Sequence, residues 1–102
     1  MLKILIAEDE EPIANLIRVN LTKAGYECTC AYDGEEAADQ MENGHFDLLL
    51  LDIMLPKING YELMEYAKTL QLPVIFITGR PKCIRNFFET VLAKLCRQFF
   101  RI

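Results

Sequence analysis

The chain has 102 residues, a formal net charge of −4, 52% hydrophobic residues and 25% charged residues. That length supports one domain around one small core, and the balance excludes a disordered or fibrous chain. No apolar run approaches the ~20 residues of a membrane span, and Met1-Leu2-Lys3-Ile4-Leu5-Ile6 reads as a strand rather than a signal peptide, so no membrane span and a cytoplasmic location are expected.

The net charge hides a split. Residues 1–78 hold five Lys/Arg against fourteen Asp/Glu, whereas residues 79–102 hold six against one. The chain is therefore read as a core over 1–78 and a basic tail over 79–102. The four cysteines, Cys28, Cys30, Cys83 and Cys96, have no C-x-x-C spacing, and His45 is the one histidine available as a nitrogen ligand. They are read as reduced packing or surface residues rather than a zinc site.

Lys3 to Ala7 is a short apolar run suited to a strand buried on both faces, and it ends in Glu8-Asp9-Glu10-Glu11. Pro12 suits a first helical turn; Ile13, Leu16, Ile17, Leu21 and Ala24 follow at helical spacing until Gly25. Glu27 to Ala31 reads as a second strand, with Cys28 and Cys30 on one face. Asp33-Gly34 is a turn, and Glu35 to Glu42 a helix with Ala37, Ala38 and Met41 inward, closed by Asn43-Gly44. His45 falls in the loop that follows. Asp47 to Leu51 is a third strand, ending in Asp52; the loop from Ile53 to Gly60 leads to a helix through Leu63, Met64, Ala67 and Leu70. Pro73 to Ile77 is a fourth strand ending at Thr78. Strands alternating with helices predict an α/β domain, a doubly wound parallel sheet with right-handed crossovers.

In such sheets the polar residues at strand C-termini line the ligand crevice. Here those ends supply Glu8, Asp9, Asp52 and Thr78. Carboxylates crowded together raise one another's pKa unless a hard cation sits among them, and an all-oxygen set suits Mg²⁺ better than zinc. A carboxylate beside such an ion can act as a nucleophile toward a phosphoryl group, with the Thr78 hydroxyl donating to a phosphoryl oxygen. A bland alternative is that each acid is only a solvated loop residue; their occurrence together at successive strand ends argues against it.

Lys3-Ile4-Leu5-Ile6-Ala7-Glu8-Asp9-Glu10, Asp52-Ile53-Met54-Leu55-Pro56 with Asn59-Gly60, and Pro73-Val74-Ile75-Phe76-Ile77-Thr78 together resemble the receiver domain of bacterial two-component response regulators over residues 2–78. The resemblance implies a flavodoxin-like fold, here truncated or altered after the fourth strand. It also implies that Asp52 accepts a phosphoryl group from the phosphohistidine of a sensor histidine kinase. Glu8, Asp9, Asp52 and the backbone carbonyl of Met54 would bind Mg²⁺. The wording around Glu8 and Met54 is most similar to receivers that precede a winged-helix DNA-binding domain; no such domain is expected within these residues, and so no direct nucleic-acid contact.

After Thr78 the sequence leaves the family's pattern. No Lys-Pro pair occurs, so Lys82 and Lys94 are the candidates for a phosphate-contacting cation. Ile84, Phe87, Phe88, Val91, Leu92, Leu95, Cys96 and Phe99 recur at three- and four-residue steps, which predicts one amphipathic helix. It is expected to cover apolar sheet surface, with a membrane-surface or partner-binding role, or self-association, as the alternatives. Without a fifth strand the fourth is a sheet edge, and a homodimer or strand-exchanged dimer would pair it.

Two rival functions follow from the same residues. An aspartyl-phosphate phosphatase needs a second acid two positions after Asp52, where this chain has Met54. The stronger rival is a phosphorylation-incompetent binding or dimerisation module acting through the tail helix. Nucleotide binding is disfavoured, since no glycine-rich loop follows the first strand.

Overall fold

The computed structural model describes residues 2–52, 55, 57–58 and 60–77. The tail over 79–102, with its expected helix and Lys82 and Lys94, lies outside the described residues, as do Thr78 and Met54.

Among the described residues seven elements alternate: β1 (Lys3–Ala7), α1 (Glu11–Lys23), β2 (Glu27–Ala31), α2 (Gly34–Asn43), β3 (Leu48–Asp52), α3 (Gly60–Thr69) and β4 (Val74–Ile77). The strands form a parallel sheet in the order β2-β1-β3-β4. The expected α/β fold is present, with element ends shifted by a residue or two.

The apolar runs of β1 and β3 are explained by burial on both faces. Side chains alternate across a strand, so Ile4, Ile6, Leu48 and Leu50 join Ile17 and Leu21 of α1, while Leu5, Ala7, Leu49 and Leu51 join Ala37 and Met41 of α2 and Leu63 and Ala67 of α3. Among the described residues, α1 thus packs on one face and α2 and α3 on the other. Each fully buried Leu or Ile contributes about 1.5–3 kcal/mol of transfer free energy. Cys28 and Cys30 pack against the α1 side, as packing residues should; burial is the main cause that pushes the Cys28 thiol up to about 11.

Two helix ends are built alike. At the end of α1 the Tyr26 N–H donates to the Leu21 carbonyl at 3.1 Å and the Gly25 N–H to the Thr22 carbonyl at 3.0 Å, with Gly25 at φ 100°. At the end of α3 the Leu72 N–H donates to the Ala67 carbonyl at 2.9 Å and the Gln71 N–H to the Lys68 carbonyl at 3.0 Å. This is the Schellman pattern, which requires a left-handed residue. Gly25 fills it without strain in α1; Gln71, at φ 57°, fills it in α3.

The residues at helical spacing in α1 differ in burial, and Ala24 is the C-cap that follows the helix. Leu16 is 36% exposed and Ala24 is also exposed, while Ala14, Ile17 and Leu21 are the buried positions. Leu70 likewise falls beyond α3 and is 45% exposed. His45 lies exposed in the α2–β3 loop, as read.

Candidate functional site

The acidic cluster is assembled by strand register. Ala7 of β1 is paired with Leu51 of β3. One residue further on, Glu8 and Asp52 leave the C-terminal ends of these adjacent strands, and Asp9 follows. The chain runs from β1 out to β2 on one side and returns to β3 on the other, so the β1/β3 boundary is where the strand order reverses, the usual ligand position in an open parallel sheet.

One carboxylate oxygen from each of Glu8, Asp9 and Asp52 lies within 4.8 Å of the others. Their surroundings differ: Glu8 is 5% exposed, Asp52 is half-buried and Asp9 is exposed. The Glu8 backbone N–H is fixed by the Ala31 carbonyl of β2 at 3.0 Å. Burial, then a hydrogen bond with Asp52 and the negative charges of Asp52 and Asp9, push the Glu8 carboxyl up to about 8. Without a cation in the cluster, these causes favour the protonated form of the Glu8 carboxyl.

That proton performs the task a cation would perform, neutralising charge among crowded carboxylates. The donor set is all oxygen, the ligand chemistry that suits a small hard cation such as Mg²⁺. Among the described residues the cluster brings no nitrogen or sulfur ligand, which disfavours zinc.

A second polar contact ties the surroundings together. Asp33 caps α2, accepting from the Glu36 N–H at 2.8 Å. Its other oxygen, Oδ2, lies 3.3 Å from Lys57 Nζ, which is also 3.7 Å from Glu35. The cap, followed by Lys57, holds the Asp33 carboxyl below the ordinary range. In the sequence Asp33 reads only as a turn residue. A helix-capping signal was present in Asp33 to Glu36, but nothing in the chain marks a partner as distant as Lys57.

A cavity of about 300 Å³ is lined by Met41, Glu42, Asn43, Gly44, His45, Phe46, Leu70 and Leu72. It adjoins the N-terminal end of β3 and contains none of the predicted site residues.

The response regulator receiver domain family matches residues 4–93, and the chain belongs to it. The match runs past residue 78, where the resemblance read from the sequence ended. Among solved structures, a CheY-like response regulator receiver domain protein from Methanospirillum hungatei JF-1 is 29% identical, with 96% of each chain covered and a TM-score of 0.83. The response regulator TrrA from Thermotoga maritima, solved in complex with Mg²⁺-BeF, is 35% identical over 78% of this chain and 71% of that one, with a TM-score of 0.73. The Francisella response regulator 1452 receiver domain is 26% identical over 90% of this chain and 77% of that one, with a TM-score of 0.72. Members of this family are signalling modules rather than ordinary enzymes. Among the described residues no helix is long and apolar enough to cross a membrane.

Proposed function

We propose that this chain is a phosphoacceptor that receives a phosphoryl group on Asp52 from a sensor histidine kinase. The observation that carries this reading is the convergence of Glu8, Asp9 and Asp52 at the β1/β3 ends, with oxygens within 4.8 Å of one another, in a member of the receiver family.

Glu8, Asp9 and Asp52, with the Met54 carbonyl, are the residues that would hold Mg²⁺. Bound there, the ion would offset negative charge on the transferring oxygens. The TrrA complex with Mg²⁺-BeF supports this as a property of a relative. An Asp52 carboxylate oxygen attacks phosphorus, an O–P bond forms, and the P–N bond to the donor imidazole breaks with its electron pair left on nitrogen. Burial of β3 on both faces keeps the nucleophile's backbone fixed during attack. Thr78 is assigned the hydrogen bond to a phosphoryl oxygen. A cytoplasmic location, matching a kinase's cytoplasmic transmitter, belongs to the same proposal.

Intact mass after incubation with acetyl phosphate tests the reading, with and without Mg²⁺ and beside Asp52→Ala. One Mg²⁺-dependent phosphoryl adduct, absent from the variant, is expected. No adduct on a folded protein would leave the phosphorylation-incompetent binding module as the better account.

A further inference from the structure

The β2–α2 turn touches both limbs that carry the acidic cluster. On one side the Ala31 carbonyl, the last of β2, holds the Glu8 N–H at 3.0 Å. On the other side Asp33 lies 3.3 Å from Lys57, five residues after Asp52. Gly34 is packed so closely that a Cβ there would meet Ile58 at its peptide N, peptide O and Cβ. Ile58 and Leu55 in turn pack on the core beside Ala31 and Ala37.

Lys57 takes this position in a left-handed backbone conformation, φ 73°, that favours glycine. A lysine here is a strained choice unless its side chain returns something. Its ammonium reaches Asp33 and Glu35, both on or beside the start of α2. Asp33 is well prepared as the fixed end of such a contact, because its other oxygen is committed to the α2 cap and the side chain is 23% exposed.

We propose that the Asp33–Lys57 ion pair is a brace that positions Lys57 and Ile58, which follow Asp52 in the chain, against the β2–α2 turn, and so sets the rate of phosphoryl transfer to Asp52. The inference rests on the phosphoacceptor reading above. Asp33 and Lys57 are positioning residues: neither belongs to the carboxylate cluster. Exposed ion pairs add little to global stability. The brace therefore acts on local geometry, where small displacements of reacting groups cost much in rate.

The test compares the wild type with Asp33→Asn, Lys57→Gly and Lys57→Arg. Asparagine keeps the helix cap and removes the charge; glycine relieves the left-handed backbone and removes the ammonium; arginine keeps the cation. Initial labelling by acetyl phosphate, thermal melting and amide hydrogen exchange at Leu55, Lys57 and Ile58 are measured on each. Asp33→Asn and Lys57→Gly are expected to label about three- to thirtyfold more slowly, the range a coupled positioning contact carries. Their loop amides should exchange faster, with Lys57→Gly melting no lower than the wild type. Lys57→Arg should label within about twofold of it.

Wild-type labelling and exchange in Asp33→Asn and Lys57→Gly would overturn the brace. Slowed labelling with a matching loss of melting temperature and no local change in exchange would also overturn it, reducing the pair to ordinary stability. A wild type that takes no phosphoryl group would overturn the phosphoacceptor reading and the rate claim together, while the exchange measurements would still decide whether the loop is held.

Discussion

Glu8 and Asp52 leave adjacent parallel strands side by side and share a hydrogen bond. Burial is the largest cause that raises the Glu8 carboxyl from 4.5 to about 8. Without metal the folded state thus binds a proton that the unfolded chain releases above about pH 4.5. The stabilising contribution is complete below the unfolded value and is lost as pH rises to about 8. Metal-free protein should therefore lose stability between these values, by on the order of a few kcal/mol. Glu8→Gln should flatten that slope, as read by urea unfolding at a series of pH values in EDTA. An equally steep slope in the variant would place the proton elsewhere.

A proton and a cation compete for the same oxygens, so Mg²⁺ should stabilise the fold more at about pH 9 than at about pH 6. Thermal melting with and without MgCl₂ at both values reads this directly. Asp9→Asn and Asp52→Asn should each reduce the Mg²⁺-induced shift strongly. Asp9 is exposed, and its replacement should leave the metal-free melting temperature nearly unchanged, which separates lost binding from lost folding.

The sheet was legible because its signals are local. Four consecutive leucines before Asp52 demand burial on both faces, and Gly25 and Gly44 mark helix ends within a residue or so. The acidic cluster was legible for a related reason: parallel strand ends converge, so a carboxylate at each end is a spatial statement. Which of the three is buried was not, since Glu8 and Asp9 are neighbours in sequence and differ only in the side of the chain they face. The Asp33–Lys57 contact was invisible because ion pairing has no period. The exposure of Leu16 was not legible either, because helical spacing shows a periodic face but not how much of it is covered.

The end of α3 offers a stabilising change. Gln71 holds the left-handed position of its Schellman turn at φ 57°, a conformation that glycine adopts without steric cost. Gln71 is exposed, so its side chain has little packing to lose. Gln71→Gly should stabilise by about 0.5–1 kcal/mol, after allowance for the greater entropy glycine gives the unfolded chain. A rise of a few degrees in melting temperature is expected, about 4–8 °C per kcal/mol at this size. Unchanged or lowered melting would mean that Gln71 has contacts worth more than its backbone strain.

Gly34 should show the opposite behaviour. Its φ is unremarkable, and its requirement is space: a Cβ would stand 2.6 Å from the Ile58 peptide N and closer still to the Ile58 carbonyl oxygen. Backbone cannot step aside as a flexible side chain can, so Gly34→Ala must push α2 away from the loop that carries Ile58. Alanine is otherwise the better helix former, by less at this first helical position than the about 1 kcal/mol of a helix interior, which makes the sign of the result informative. We expect a net loss of about 1–3 kcal/mol, the usual cost of overpacking, measured by urea unfolding. Gly44→Ala, at an exposed helix end whose added Cβ would meet mainly the Phe46 ring and the Gln40 carbonyl, should cost less, because the ring can swing away. Equal losses at the two glycines would mean that α2 and the loop are not in the close contact on which positioning of the residues after Asp52 depends.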